Sequence, residues 1–176
     1  MVIVITGPIA SGKSTIARAL ADELARRDVR SAVIDLDVLH DMLTSNGRDA
    51  DAWAVARRAA AALANTFAAE GVAVVIADGS FNAPDDRAAF DQGLEADDPP
   101  LYVTLRVSYE EALRRAQRDP TRGVSRDPAF LGPYFAAAPP ASVTTPATDI
   151  VIDTERTSAM SAAAAIARLV QPGRKL

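Results

Sequence analysis

The sequence predicts an α/β fold in which five short parallel strands form one sheet with helices on both faces. Short apolar runs rich in valine and isoleucine alternate with longer segments whose apolar residues recur every three or four positions. The run at 72–79 is almost continuously apolar, which is typical of a strand buried on both faces. Strands that alternate with helices form parallel sheets, and such sheets bind ligands at the carboxyl ends of their strands.

The first part of the chain predicts the order strand, helix, strand, helix. Val2–Ile5 is an apolar run that fits a strand, and the helix after it ends near Asp28. The buried face of that helix is marked by three residues spaced four apart: Ile16, Leu20 and Leu24. Ser31–Asp37 predicts the second strand, and Val38–Leu43 a short helical segment that runs toward the break at Asn46-Gly47.

The middle of the chain begins with a long alanine-rich helix over Trp53–Glu70, which ends at Gly71. Its candidate core residues are Trp53, Ala60, Leu63 and Phe67. The apolar run Val72–Gly79 predicts a strand near the middle of the sheet. A helix over Pro84–Leu94 and a strand over Leu101–Val107 follow, separated by an acidic turn that contains prolines.

The last part of the chain predicts a helix over Tyr109–Arg118 and then a polar, mobile loop over Asp119–Pro128. A helix over Ala129–Ala138, a strand over Asp149–Thr154 and a closing helix over Ser158–Val170 complete the chain. No repeat or second domain is evident, so residues 1–176 are expected to form a single domain.

Composition excludes several classes of function. The net charge of −4 and pI of about 5.0 argue against a general nucleic-acid-binding protein. The absence of cysteine excludes disulfides and thiolate chemistry, and a single histidine, His40, excludes a histidine-rich zinc site. His40 is expected to have a structural or substrate-wall role, and Trp53 to be a core residue. No export signal or membrane-spanning run is seen, so a cytoplasmic protein is expected.

The most specific motif is GPIASGKST, the segment Gly7–Thr15, which we call the phosphate loop. It follows a predicted strand and opens a predicted helix, the context that the pattern G-x-x-x-x-G-K-[ST] requires. Glycines at both ends let backbone N–H groups converge on phosphate oxygens. Lys13 is expected to reach the β and γ phosphates of ATP, and Ser14 to take one position on Mg²⁺. The predicted nucleotide-binding residues of the loop are Gly7, Ala10, Ser11, Gly12, Lys13, Ser14 and Thr15. The alternative is a glycine-containing turn with a surface lysine.

Three aspartates stand at predicted strand ends. Asp35 and Asp37 alternate at the end of strand two, so both carboxylates are expected on one face beside the phosphates. One would hold a water on Mg²⁺, Asp35 in our interpretation, while Asp37 accepts a proton from an attacking hydroxyl. Asp78 ends strand three and is expected to support Mg²⁺ or to touch substrate. The alternatives are an N-cap of a helix starting at Val38 for Asp37, a solvated strand end for Asp35 and a turn aspartate for Asp78.

Five arginines lie within thirteen residues, at positions 114, 115, 118, 122 and 126. Such crowding favours a site that anions visit, because guanidinium groups bind phosphate oxygens bidentately. Arg118 and Arg126 are predicted to act in catalysis, and Arg114 and Arg118 to contact the nucleotide. A solvated basic face partnered by Glu110 and Glu111 is the alternative, and for Arg115 it is the favoured interpretation.

With these features in place, the chain resembles small P-loop kinases that phosphorylate hydroxyls of metabolites or antibiotics, such as shikimate, gluconate and adenylylsulfate kinases and chloramphenicol phosphotransferases. The resemblance implies a three-layer P-loop kinase fold. It also implies that Asp37 handles the acceptor hydroxyl and that Asp119–Pro128 is a lid that carries arginine to ATP. The segment RDPTRG looks partly like the adenylylsulfate kinase lid, but GSFNAPDD stands where that enzyme has its aromatic and Ser-Pro segment.

The expected function is therefore an ATP- and Mg²⁺-dependent kinase that acts on a small hydroxyl-bearing substrate, as a monomer or homodimer. Two alternatives stay open at this point. The first is a nucleic-acid or nucleotide-sugar kinase, which needs a longer basic groove. The second is a nucleotide-dependent switch, although the two lysines of the chain, Lys13 and Lys175, leave no room for a guanine-reading N-K-x-D motif.

Overall fold

The computed structural model describes residues 1–43, 51–96, 98–137 and 149–170. The strands of these residues are β1 (Val2–Thr6), β2 (Ser31–Asp35), β3 (Val74–Gly79), β4 (Leu101–Arg106) and β5 (Ile150–Asp153). The helices are α1 (Lys13–Arg26), α2 (Leu36–Asp41), α3 (Ala52–Ala69), α4 (Pro84–Asp91), α5 (Tyr109–Arg118), α6 (Pro128–Ala137) and α7 (Ala159–Ala167). A 3₁₀ turn, Val124–Arg126, lies between α5 and α6.

The five strands form one parallel sheet in the order β2-β3-β1-β4-β5. This confirms the predicted α/β class and the predicted parallel sheet. The most buried strands are β1 and β3, in which every residue is buried, because helices cover both of their faces. β1 is the central strand. At its carboxyl end, Thr6 is the register partner of Gly79 in β3 and of Thr104 in β4.

Two hydrophobic clusters cover the two faces of the sheet. On one face, Leu20 and Leu24 of α1 pack with Ile166 of α7 against the inward side chains of the strands. On the other face, α3 and α4 supply Ala60 and Phe90. Each fully buried leucine or phenylalanine side chain stabilises the fold by about 1.5–3 kcal/mol relative to its exposed state. The α1 packing matters most for function because it fixes the helix end at which the phosphate loop terminates.

The end of strand two differs from the prediction. β2 stops at Asp35 and α2 begins at Leu36, so Asp37 lies in the first helical turn and does not share a strand face with Asp35. The physical reason is that Asp35 is itself the N-cap. Its Oδ1 accepts hydrogen bonds from the N–H groups of Asp37 and Val38, at 3.0 and 3.4 Å. The alternative in which Asp37 caps a helix starting at Val38 is wrong for the same reason.

Smaller differences concern element ends and one core residue. Leu63 is 37% exposed and is not a core residue, because the small alanines of α3 form its buried face. Trp53 packs against the core as predicted and also stacks on His40, with ring centroids 3.9 Å apart. The helix predicted to reach Leu94 ends at Asp91. The predicted breaks at Asn46-Gly47 and Pro139-Pro140 lie outside the described residues.

Candidate active site

The phosphate loop connects the carboxyl end of β1 to the amino end of α1. Three of its residues have positive φ angles: 150° at Gly7, 60° at Ala10 and 95° at Gly12. A Cβ atom on Gly7 would lie 2.8 Å from the Leu105 carbonyl oxygen, so only glycine fits there without a shift of the backbone. The loop ends at a helix terminus whose first N–H groups lack intrahelical partners and attract anions.

Lys13 is the first residue of α1, and its side chain folds back over the loop. Its Nζ donates hydrogen bonds to the carbonyl oxygens of Gly7 and Pro8, both at 3.1 Å. Burial lowers the pKa of Lys13, while the carboxylates of Asp37 and Asp78 oppose that shift. The ammonium group therefore lies at the loop with acidic side chains within electrostatic range.

Asp78 ends β3 next to the loop and is only 2% exposed. Burial raises the pKa of Asp78 to about 6, and the charges of Asp35 and Asp37 add to the rise. The Ser14 hydroxyl, which hydrogen-bonds to the Asp78 carboxylate, and Lys13 hold the pKa down. Oδ1 of Asp78 is buried without a hydrogen-bond partner among the described residues, as is Oγ of Ser11. Such orphaned oxygens are expected where a ligand completes the site.

These oxygens fit Mg²⁺. A hard cation prefers carboxylate and hydroxyl oxygens, and the Ser14 hydroxyl and the unsatisfied Asp78 carboxylate lie together at the phosphate loop. Across 1–43, 51–96, 98–137 and 149–170, no group of three or more acidic, histidine or cysteine residues could hold a metal by itself. That is consistent with Mg²⁺ in phosphoryl-transfer sites, where one or two protein ligands are joined by phosphate oxygens and water.

Asp35 and Asp37 occupy different environments. The Asp35 carboxylate is committed to the helix N-cap described above, whereas Asp37 is exposed in the first turn of α2. Asp37 nevertheless acts on Lys13, because its charge is the largest of those that raise the lysine pKa. Asp37 therefore lies within electrostatic range of the phosphate loop, with a carboxylate that is not used as a cap.

The three arginines of α5 differ in their contacts. Arg114 forms an ion pair with Glu111, and Arg115 bonds both to Glu111 and to the Thr154 carbonyl oxygen, the latter at 2.8 Å. Arg115 therefore ties α5 to the end of β5 and is not simply a solvated residue. Arg118 is exposed at the last residue of α5.

Arg122 and Arg126 lie within the predicted lid and line a small cavity of about 570 Å³. Arg126 is exposed and, among the described residues, makes a single long hydrogen bond of 3.5 Å to the Gln117 carbonyl oxygen. Arg122 pairs weakly with Asp119 at 3.3 Å, and its charge lowers the pKa of Lys13. Arg122 is thus the lid arginine within electrostatic range of the phosphate loop, and it was not among the predicted site residues.

Comparison with known proteins identifies the family. A family model described as an AAA domain matches residues 2–128, which include the phosphate loop and the three aspartates. The chain belongs to this family. Among curated proteins, none matches the chain in sequence.

Solved structures give this AAA domain protein the fold of small-molecule P-loop kinases. A sugar kinase from Janibacter sp. HTCC2649 matches with TM-score 0.69 and 22% identity, over 97% of this chain and 95% of that chain. A gluconokinase from Sinorhizobium meliloti 1021 matches with TM-score 0.62 and 18% identity, over 96% and 92%. Shikimate kinase from Acinetobacter baumannii, in complex with shikimate, matches with TM-score 0.61 and 20% identity, over 96% and 92%. The predicted resemblance to this group of folds is confirmed.

A cavity of about 770 Å³ lies beside the start of the phosphate loop in this AAA domain protein, and sequence patterns did not indicate it. Its wall combines Thr6, Gly7 and Pro8 with the start of α4, the ends of β4 and β5, and the last turns of α6. Tyr134 of α6 joins the cavity to the loop, because its hydroxyl is hydrogen-bonded by the backbone N–H of Ile9. A sequence feature that belongs to this wall is the aromatic pair Tyr134-Phe135 of α6.

None of the helices in the described part of the chain has both the length and the apolar character needed to cross a bilayer.

Proposed function

We propose that this AAA domain protein is an ATP-dependent kinase that transfers the γ-phosphoryl group to a hydroxyl of a small metabolite or antibiotic. One observation carries the proposal: Lys13, at the start of α1, lies within electrostatic range of Asp35, Asp37 and Asp78 at the ends of β2 and β3. A cation at a phosphate loop and carboxylates beside it are the parts that phosphoryl transfer requires, because the reaction depends on positioning and charge neutralisation. The kinase folds of the compared structures support the proposal.

The loop residues would hold the nucleotide. The positive φ angles of Ala10 and Gly12 would let backbone N–H groups of the loop turn toward phosphate oxygens, and Thr15 stands exposed in the first turn of α1. Lys13 would exchange its two carbonyl partners for β- and γ-phosphate oxygens. Ser14 and Asp78 are the residues that would hold Mg²⁺, which when bound neutralises charge on the β and γ phosphates.

Asp37 is the group we assign as general base. Its exposed carboxylate accepts the proton of the acceptor hydroxyl while the hydroxyl oxygen forms a bond to the γ-phosphorus. The bond between that phosphorus and the β–γ bridging oxygen breaks, so the products are a phosphate monoester and ADP. Asp35 keeps Asp37 in place, because the Asp35 carboxylate caps the helix turn that carries Asp37.

The lid arginines would complete the site. Arg122 would approach the phosphates, which its electrostatic effect on Lys13 supports, while Arg118 and Arg126 flank it at the end of α5 and in the 3₁₀ turn. Arg114 would contact the nucleotide only by leaving its ion pair with Glu111. Closure of this segment would exclude water from the reacting group.

The experiment has a binding step and a chemical step. Thermal shift would be measured with MgATP and MgGTP, and then with hydroxyl-bearing metabolites and antibiotics added to MgATP. Phosphorus NMR of the mixtures that shift the melting temperature would then identify new phosphate monoesters. We expect MgATP to raise the melting temperature and at least one acceptor to yield a monoester together with ADP. A protein that binds no nucleotide, or that yields only inorganic phosphate with every acceptor, contradicts the proposal.

A further inference from the structure

We propose that the phosphate acceptor is an uncharged, largely apolar alcohol and that it occupies the 770 Å³ cavity beside the phosphate loop. This inference rests on the proposed kinase function. The cavity is in the size range of sites that bury drug-sized ligands, about 300–1,000 Å³. It also borders the start of the phosphate loop, because Gly7 and Pro8, whose carbonyl oxygens accept hydrogen bonds from Lys13, belong to its wall.

Aromatic side chains form one side of the cavity. Tyr109 of α5 and Tyr134 of α6 both pack edge-on against Phe135, with ring centroids 5.8 and 5.5 Å apart. Val107 and Pro84 add aliphatic surface from the end of β4 and the start of α4. A ligand gains affinity from such a wall by removing apolar surface from water, so the wall favours an apolar body.

Two arginines around this cavity, Arg87 and Arg57, are already neutralised within the protein. Arg87 makes a bidentate ion pair with Asp149, at 2.9 and 2.7 Å. Arg57, which is 7% exposed behind the α4 start, bonds to the Ser80 carbonyl oxygen and forms an ion pair with Asp86 at 2.9 Å. These pairs leave neither guanidinium free for a substrate anion.

Acidic groups of the wall make an anion still less favourable. Glu155 lines the wall and accepts a hydrogen bond from the Ser108 N–H at 2.7 Å. Arg106 is the one wall arginine with no ion pair to the described residues, and it is exposed at the mouth of the cavity. Burying a carboxylate or phosphate without a paired cation is strongly unfavourable. A hydroxy acid or a nucleic-acid end is therefore a poor occupant.

Asn82 is a polar group of the wall that could orient an alcohol. Asn82 lies in the wall at the loop that follows β3, and its Oδ1 accepts a hydrogen bond from the Thr6 hydroxyl at 3.0 Å. Its amide N–H groups are directed away from that bond, so they can donate to an acceptor oxygen. A neutral hydroxyl satisfies such a donor without bringing charge into the cavity.

The test compares kcat/KM for acceptors matched in size, with MgATP held at saturation. Neutral probes are 3-phenylpropan-1-ol and 3-phenylpropane-1,2-diol, and anionic probes are shikimate and gluconate. We expect at least a tenfold preference for the neutral probes. Equal or reversed preference, or the absence of any activity with the neutral probes, overturns this inference. Failure of the proposed kinase function would give a different result: no phosphate monoester with any acceptor and no shift of the melting temperature with ATP.

Variants locate the acceptor in the cavity. Phe135→Ala should raise the KM of the neutral probes by about tenfold or more and leave the KM of ATP unchanged, because the wall loses an aromatic surface. Phe130→Ala is the matched control, since Phe130 lies on the same helix, is 41% exposed and is outside the wall. An increase in the KM of ATP alone in Phe135→Ala would make the cavity a nucleotide-base site and overturn the inference.

Discussion

Asp35 and Asp78 are register partners at the carboxyl ends of the adjacent strands β2 and β3, so two carboxylates stand side by side at the phosphate loop. The Asp35 charge is one reason why the pKa of Asp78 rises to about 6, the largest reason being burial. The metal-free site therefore carries unfavourable negative charge at neutral pH. The positive charge of Lys13 offsets that negative charge only in part.

The proximity of the Asp35 and Asp78 carboxylates predicts that the free energy of unfolding of Asp78→Asn differs from that of the wild type in a pH-dependent way. The pKa of Asp78 rises from 3.8 in the unfolded chain to about 6 in the fold, so its ionisation destabilises the fold above about pH 6 and that effect fades as pH falls toward 4. Without Mg²⁺ or nucleotide, Asp78→Asn should be more stable than the wild type at pH 7 by on the order of 1 kcal/mol, a Tm rise of roughly 2–4 °C.

Urea unfolding at pH 7 and pH 4, in the presence of EDTA, measures this difference. The gain should shrink at pH 4, where the wild-type carboxyl is protonated. Asp22→Asn is the control, because Asp22 is exposed on α1. A gain of equal size at both pH values, or none at pH 7, would show that the Asp78 charge does not destabilise the fold.

Asp37→Asn should lower the rate of phosphoryl transfer by roughly 10² or more while ATP binding is retained, since a positioned base contributes on this scale. The neighbouring Asp35→Ala supplies the contrast. It removes the N-cap of α2 and should reduce the free energy of unfolding by about 0.5–2 kcal/mol. Steady-state kinetics and denaturant titration on both variants separate the two roles. An Asp37→Asn enzyme with normal turnover would exclude Asp37 as the base.

The lid should become ordered when nucleotide binds. Asp119–Pro128 has one short 3₁₀ turn and mostly exposed side chains, so few buried contacts oppose its opening. We expect amide hydrogen exchange in this segment to slow severalfold when a non-hydrolysable MgATP analogue is added. Arg122→Ala should lower kcat by about tenfold or more, because it removes the lid arginine whose charge acts on Lys13.

Arg118→Ala and Arg126→Ala test the two arginines predicted from sequence. If they contact the phosphates on closure, each should lower turnover with little change in Tm, since both side chains are exposed. Unchanged exchange in the segment together with normal turnover in all three variants would leave these arginines as a solvated face.

Gly7→Ala should disrupt the phosphate loop. The new Cβ would meet the Leu105 carbonyl oxygen at 2.8 Å in a backbone with φ of 150°, so the loop must move. We expect a loss of on the order of 1–3 kcal/mol in the free energy of unfolding and a weaker ATP-induced melting shift. Gly132→Ala is the control, because it adds only an ordinary contact to Tyr109, at 3.8 Å, within α6. Equal stability of the two variants would argue against the strained loop geometry.

Much of the framework follows from local sequence. The apolar runs of β1 and β3 predict buried strands because both faces of a central strand must be covered, and the GPIASGKST motif predicts the phosphate loop because glycines and lysine act locally. The prediction for Asp35-Leu36-Asp37 was wrong because aspartates spaced two apart fit both a strand end and a helix start. The hydrogen bonds that Asp35 accepts as an N-cap show that a helix starts here.

The features that sequence reasoning missed depend on contacts distant in the chain. Arg87 meets Asp149 across 62 positions, and no local pattern indicates that this pair neutralises the cavity wall. Arg122 differs from Arg118 and Arg126 only in its place in the folded lid, where its charge reaches Lys13. A run of arginines predicts an anion site. Which of these arginines lies near that site depends on the folded backbone of the lid.

Lys13→Ala tests the central claim most directly. ADP and phosphate monoester would be quantified for the wild type and the variant with the same acceptor, beside a melting curve for each. Because Lys13 is the cation held by the loop carbonyls, phosphoryl transfer should be abolished while the variant keeps a cooperative transition near the wild-type Tm. Near-normal monoester formation by a folded Lys13→Ala protein would contradict the assignment of the phosphate loop as the centre of a kinase.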